Sequence, residues 1–342
     1  MATWSSSRRP QRAEAWTRLA LVALVLLAPA CGRSSPADPA GAPAPAPGDG
    51  WSPPRTPWGD PDLQGQWNNQ SSTPLERPTE GPLAGRETIT EEEAEELYQA
   101  ERQSFDEAPK AGDPGTYNAF WRDDGKALTR TSLIVDPPDG RIPPYTAAAA
   151  ARLTAARAER AKRGRADSYT DLPAWTRCIS RGWNGIGSWY SSNYQIFQSP
   201  GYVVIYQELI HEPRIIPVDG RPHLPARARQ WLGDSRGRWE GNTLVVETTN
   251  FDPKASFRGS GPAMTLIERY TPTDANTIDY QFTINDPETF TRPWTVSLPM
   301  RRQTDGITIY EYACHEGNHA MEGILGGARA EERQAAARGA RR

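Results

Sequence analysis

Apolar and polar positions alternate most clearly around residue 280. Ile278, Tyr280, Phe282 and Ile284 interleave there with Asp279, Gln281 and Thr283. A period of two puts one strand face in a core and the other in water. The neighbouring chain repeats the theme. "NYQIFQ" and "YVVIYQELIH" flank Ser199-Pro200-Gly201, and "RIIPV" runs into a turn at Asp219-Gly220. "GRW" and "TLVVETT" flank Glu240-Gly241-Asn242. "MTLIERYT" and "TIDYQFTI" flank the turn at 272–276, and "PWTVSLPMRR" and "ITIYEYAC" flank the turn at 303–306. Strands rich in β-branched and aromatic residues, with turn residues every ten or so positions, predict an antiparallel meander.

Helical signals are fewer. Thr90-Glu91-Glu92-Glu93 is a capping box with an acidic first turn, predicting a helix to about Gln103. "TAAAAARLTAARAERAKRGR", from Thr146, predicts a second helix with a thin apolar stripe, hence a surface position. The end, "GARAEERQAAARGARR", reads as a frayed polar helix or tail. "SLIV" (Ser132–Val135) predicts a short strand before a turn at Asp136–Gly140.

The first residues follow a different logic. Arg8, Arg9, Arg12 and Arg18 precede an apolar stretch, Leu19–Ala30, that is short for a membrane span and suits a signal peptide. Ala28-Pro29-Ala30-Cys31 resembles a bacterial lipobox, which implies a lipidated Cys31 and, with no Asp after it, an outer-membrane lipoprotein facing the periplasm or cell surface. Residues 31–56, dense in Pro, Ala and Gly, cannot pack a core and read as a tether. The organisation expected is a signal peptide over 1–30, a tether over 31–56, one β-rich domain over 57–332 and a polar tail over 333–342.

Charge narrows the partners. Without its first 30 residues, which hold four Arg and one Glu, the chain's 39 basic and 42 acidic residues become 35 and 41. No basic stripe remains, so nucleic acid is not an expected partner. Of three cysteines, Cys178 and Cys314 are left after Cys31. In an oxidising compartment they form either a disulfide or two buried thiols.

Gly65-x-Trp67 resembles the opening of lipocalins. That resemblance implies a Trp plugging one barrel end beneath an Arg from a late strand. The fold expected is therefore mainly β, a meander closing into a lipocalin-like (calycin-type) barrel with two or three peripheral helices; a β-sandwich is the alternative. "RTSLIVDPPDGRIPP", "NYQIFQSPGYVVIYQELIHEPRIIPVDGRPHLP", "QWLGDSRGRWEGNTLVVETTNF" and "YEYACHEGN" also resemble a large group of exported bacterial proteins of unknown function. The resemblance spans roughly 57–332 and implies one ordered exported domain, without naming an activity.

Candidate chemistry gathers on a few residues. His315-Glu316-Gly317-Asn318-His319 spells H-E-x-x-H, the zinc-peptidase pattern. That chemistry needs a helix so that both imidazoles meet one metal. Here the motif follows a predicted strand and holds Gly317 and Asn318, both poor helix residues, so neither zinc nor another cofactor is expected. His211-Glu212 and His315-Glu316 each end a predicted strand. If those ends share a rim, two carboxylate-oriented histidines converge as acid/base groups. Arg214, Tyr194, Trp189, Asn318 and Glu268 are candidate ligand-binding residues, Glu268 because a carboxylate in an apolar strand needs a partner when it faces inward. The aromatic, Gly-rich stretch "RGWNGIGSWYSSNYQ" (Arg181–Gln195) is suited to close a barrel mouth over a flat ligand. Three functions remain open: a lipid-anchored protein binding a small apolar or aromatic molecule in a barrel pocket; an acid/base lyase, isomerase or hydrolase; and a structural envelope lipoprotein.

Overall fold

A computed structural model of the chain describes residues 51–108, 117–123, 125–164, 166–183, 185–186, 190–255, 257–304, 306 and 309–340. Cys31 and Trp189 lie outside the described residues. The fold is a nearly closed antiparallel barrel of nine strands with three helices outside it.

In chain order the elements are β1 (Gly65–Asn68), α1 (Glu91–Phe105), β2 (Ile134–Asp136), α2 (Ala147–Ala161), β3 (Asn193–Ser199), β4 (Tyr202–Gln207), β5 (Glu212–Pro217), β6 (Asp234–Glu240), β7 (Thr243–Thr249), β8 (Thr265–Asp274), β9 (Thr277–Asn285), β10 (Trp294–Arg302) and α3 (His319–Gly339). The sheet order is β5-β4-β3-β1-β10-β9-β8-β7-β6, with β2 also on β10. Each hairpin neighbour pairs with the next, and β1 bridges β10 and β3. The gap in the circle is between β5 and β6. There Gly237 keeps the two strands close, since a Cβ on it would meet Val218 at 2.7 Å and Ile216 at 3.0 Å.

The expected capping box on α1 forms: Thr90 accepts from the Glu93 N–H and Glu93 from the Thr90 N–H. The lipocalin-type plug is also present. Trp67 is buried and donates its indole N–H to the Leu63 carbonyl at 2.9 Å. The Arg302 guanidinium lies 4.2 Å from the Trp67 ring centre, and donates to the carbonyls of Gln64 and Ala275. Gly65 has φ +137°, and a Cβ there would sit 2.2 Å from the Arg302 guanidinium. The motif needs its Gly for both reasons.

Inside the barrel, Leu244, Val246, Leu266, Ile278, Phe282, Ile284, Val296 and Leu298 are buried in one core. Three expectations are corrected, and the C-terminal stretch takes its helical alternative. The second face of β9 is not wet: Asp279, Gln281 and Thr283 are buried. Over the adjacent strand, Arg130 donates to the Ser297 carbonyl and Ser297 N–H to the Leu133 carbonyl, so a polypeptide layer replaces water there. The strand expected to run to His211 stops at Gln207, and Glu208–His211 is the hairpin turn. The strand expected over 307–314 does not form: its described residues pair with no strand, and Cys314–Gly317 is a turn. The tail over 333–342 is continuous with α3 as far as Gly339, and α3 buries no residue.

Candidate functional site: a capped polar core and the cleft above it

The inward face of β8 carries Glu268 between Leu266 and Tyr270. Its side chain has no solvent exposure. A bare carboxylate there would cost several kcal/mol, so it must be paired. Arg214 from β5, 8% exposed, supplies the charge through both terminal nitrogens. Tyr270 and Tyr280 each donate to Glu268 Oε1 at 2.8 Å, and the Trp183 indole donates to the same oxygen at 3.0 Å. Burial alone would push the Glu268 carboxyl up. Arg214 and these donors outweigh it and hold the group below its ordinary value. The phenols of Tyr194, Tyr270 and Tyr280 are pushed up, first by burial. The cluster is therefore an ion pair inside neutral donors, not a free general base.

Asn69, Tyr194, Gln207, Arg214, Glu268 and Tyr280 line a void of about 10 Å³ in this core. That is near the minimum for one water. Trp183 closes it from above. Its ring meets Phe282 and Phe257 edge-on, with centroids 4.6 and 5.1 Å away. Beyond Trp183 opens a cleft of about 180 Å³, lined by Trp175, Arg181, Trp231, Lys254 and Phe257 among others. No carboxylate is among its described lining residues.

Among its described residues, the loop that carries Trp175, Arg181 and Trp183 has one short 3₁₀ turn near its start and no other regular structure. A Cys178–Cys314 disulfide, with Cα atoms 5.7 Å apart, ties it to the segment before α3. Asn318, at the N-cap of α3, donates to the Thr176 carbonyl at 3.0 Å and to Cys178 Sγ at 3.2 Å. Glu212 accepts from Ser180 Oγ at 2.7 Å, and burial pushes its carboxyl up. Thus Asn318 and Glu212 position the loop that covers the barrel.

Of the expected residues, Arg214, Tyr194 and Glu268 meet in the polar core. Contrary to expectation, the two His-Glu pairs do not end neighbouring strands, because His211 lies in one turn and His315 in another. His211, in the β4–β5 turn with φ +54°, has Nδ1 2.8 Å from the Tyr312 carbonyl. Its ring anchors a passing segment. His315 and Glu316 are exposed in the turn after Cys314, and no hydrogen bond among the described residues joins them to His211. The strand meant to present His315 does not form among the described residues. H-E-x-x-H spans a turn and the first residue of α3, so its histidines lack the helical i, i+4 relation. No group of three or more His, Cys, Asp or Glu among the described residues is placed to hold a metal.

The histidine actually held by carboxylates is His223, in the β5–β6 connection. Its Nδ1 is 2.8 Å from Asp234 and its Nε2 is 3.1 Å from Glu247. Both ring nitrogens face acceptors, which favours the imidazolium, and hydrogen bonding to Glu247 raises the His223 pKa above its ordinary 6.5. Asp234, which burial would raise, is instead lowered by the Leu224 N–H, His223 and Arg236; Glu247 is lowered chiefly by His223. With both nitrogens committed, His223 fastens a loop and offers none to a substrate. Its contribution is fully present below the unfolded pKa and is lost as pH rises through the higher folded one. The Tm difference between wild type and His223→Gln should therefore be larger at pH 6 than at pH 8.5; equal differences would show that folding does not raise the His223 pKa.

Compared with known proteins, the chain matches no family model, no curated protein and no solved structure. The site thus stands on its own geometry.

Proposed function

We propose that this is an exported, lipid-anchored binding protein that holds a small aromatic molecule bearing an anionic group at its barrel mouth. The observation that carries this is the cleft above Trp183. Its walls are aromatic (Trp175, Trp183, Trp231 and Phe257), and its cations are Arg181 and Lys254. Flat aromatic walls favour a ring by area and stacking. Two cations without a lining carboxylate favour an anionic substituent. The barrel interior, filled to a void of about 10 Å³, favours the mouth over the core as the resting binding place.

Calorimetric titration of the purified protein with benzoate tests this. Saturable binding is expected, and Lys254→Glu, which alters an exposed side chain, should weaken it about five- to tenfold. Absence of saturable benzoate binding would end the proposal. An acid/base enzyme built on His211 and His315 has less support, because the His211 ring is taken up by the Tyr312 carbonyl and no hydrogen bond among the described residues joins the two pairs.

The anchor in this reading is Cys31. The Cys178–Cys314 bridge supports an oxidising, extracytoplasmic location. Cells fed labelled palmitate should label the wild-type chain and not Cys31→Ser; equal labelling would remove the anchor.

A further inference from the structure

Trp183 is bound in its own protein the way a ligand is bound. Its indole ring fills a slot between Phe257 and Phe282, and its one polar atom donates inward to Glu268 Oε1. It belongs to no helix or strand. Gly182, with φ +73°, precedes it, and Gly185 folds back over the ring so closely that a Cβ there would fall 2.0 Å from it. The Gly185 carbonyl is held by Asn69 Nδ2 at 3.1 Å.

Glu268 Oε1 is crowded with donors. It accepts from Trp183, Arg214, Tyr270 and Tyr280, whereas Oε2 accepts from Arg214. A carboxylate oxygen offers about two lone-pair directions, so four donors share fewer good sites. When the Trp183 indole leaves, Glu268 keeps its charge partner and two phenols. Departure of Arg214 would instead strand a buried charge. Trp183, the neutral donor of the cluster that no helix or strand holds, can thus withdraw without stranding the charge, and it is also the wall between the core and the aromatic cleft.

From this we infer that Trp183 occupies the ring site of the ligand, and that the ligand is an aromatic anion with a phenolic O–H or ring N–H opposite its anionic group. This rests on the binding reading above and narrows its ligand class. The donor replaces the indole N–H at Glu268, and the anion stays outside with Arg181 and Lys254. A ring with an acceptor at that inner position would face Oε1 with like charge or a bare lone pair.

The test is calorimetry on the full chain with 4-hydroxybenzoate, benzoate and 4-methoxybenzoate. The first should bind at least about fivefold tighter than benzoate, and the methoxy compound no tighter than benzoate, since a hydrogen bond to a charged group is worth at least that factor. Trp183→Ala empties the slot and should tighten 4-hydroxybenzoate about tenfold or more. Trp183→Phe keeps a ring in the slot and drops the N–H, so it guards against misfolding; it should give a smaller gain of the same sign. Equal affinity for all three compounds, unchanged in Trp183→Phe, would overturn this inference and leave benzoate binding intact. No binding of benzoate would overturn both.

Discussion

Glu268→Ala should destabilise the barrel by about 3–5 kcal/mol in urea unfolding, because it leaves the Arg214 guanidinium buried without its counter-charge. Arg214 is 8% exposed, and its nearest other side-chain acceptor is Ser235 Oγ at 3.4 Å, a neutral group. The same change removes the acceptor for Tyr270, Tyr280 and Trp183, each of which then sits in the core with an unused donor. Glu268→Gln keeps the shape and one acceptor oxygen, so it isolates the charge; most of the loss should persist. Pairing Arg214→Met with Glu268→Leu removes both charges. That double variant should be clearly more stable than Glu268→Ala, with recovery incomplete because the phenols remain unpaired. A Glu268→Ala cost under about 1 kcal/mol would mean that water reaches Arg214, and the core is not sealed.

The second large effect belongs to the disulfide. Cys178 and Cys314 are 136 residues apart in sequence, so the bridge removes a long loop's freedom from the unfolded chain. Cys178→Ser with Cys314→Ser should cost about 2–5 kcal/mol. The loss should concentrate in the mouth. The bridge, Asn318, the Tyr190–Tyr312 hydroxyl contact and the His211–Tyr312 contact tie together the covering loop, the segment before α3 and the β4–β5 turn. Hydrogen exchange should therefore quicken in residues 172–192 and 309–318 before it quickens in β8 and β9. Uniform acceleration across the barrel, or an unchanged melting temperature, would contradict this placement. Adding a dithiol reductant to wild type should reproduce the variant.

The strands were legible because their signals are local. Turn residues at Pro200-Gly201, Gly241-Asn242 and 272–276 mark hairpins that the structure contains at β3–β4, β6–β7 and β8–β9. Gly65-x-Trp67 pointed to the closed end only through its resemblance to the lipocalin opening. Glu268 was legible as a charge in an apolar strand, and Arg214 as a candidate ligand-binding cation. Their pairing was not, because β5 and β8 meet only across the barrel interior. The failures share a cause. "ITIYEYAC" has strand composition, yet both edges of β10 are already taken, by β9 on one side and by β1 and β2 on the other. A strand needs an edge, and local pattern does not say whether one is free. With that strand gone, His315 lies in a turn instead of ending a strand. The pairing of His223 was likewise not legible, since its partners Asp234 and Glu247 come from two different strands.

Sequence alone determined the meander, the first helix with its capping box, the second helix and the identities of the charged residues that must be paired if buried. These follow from backbone propensity, turn stereochemistry and side-chain periodicity, which act over a few residues. Tertiary structure decided that Glu268 meets Arg214, that Trp183 caps them, that the cysteines reach bonding distance and that His211 turns to the Tyr312 carbonyl. Those outcomes depend on which strand edge is filled first and on which side chains cross the barrel. They depend on contacts between residues tens to hundreds of positions apart.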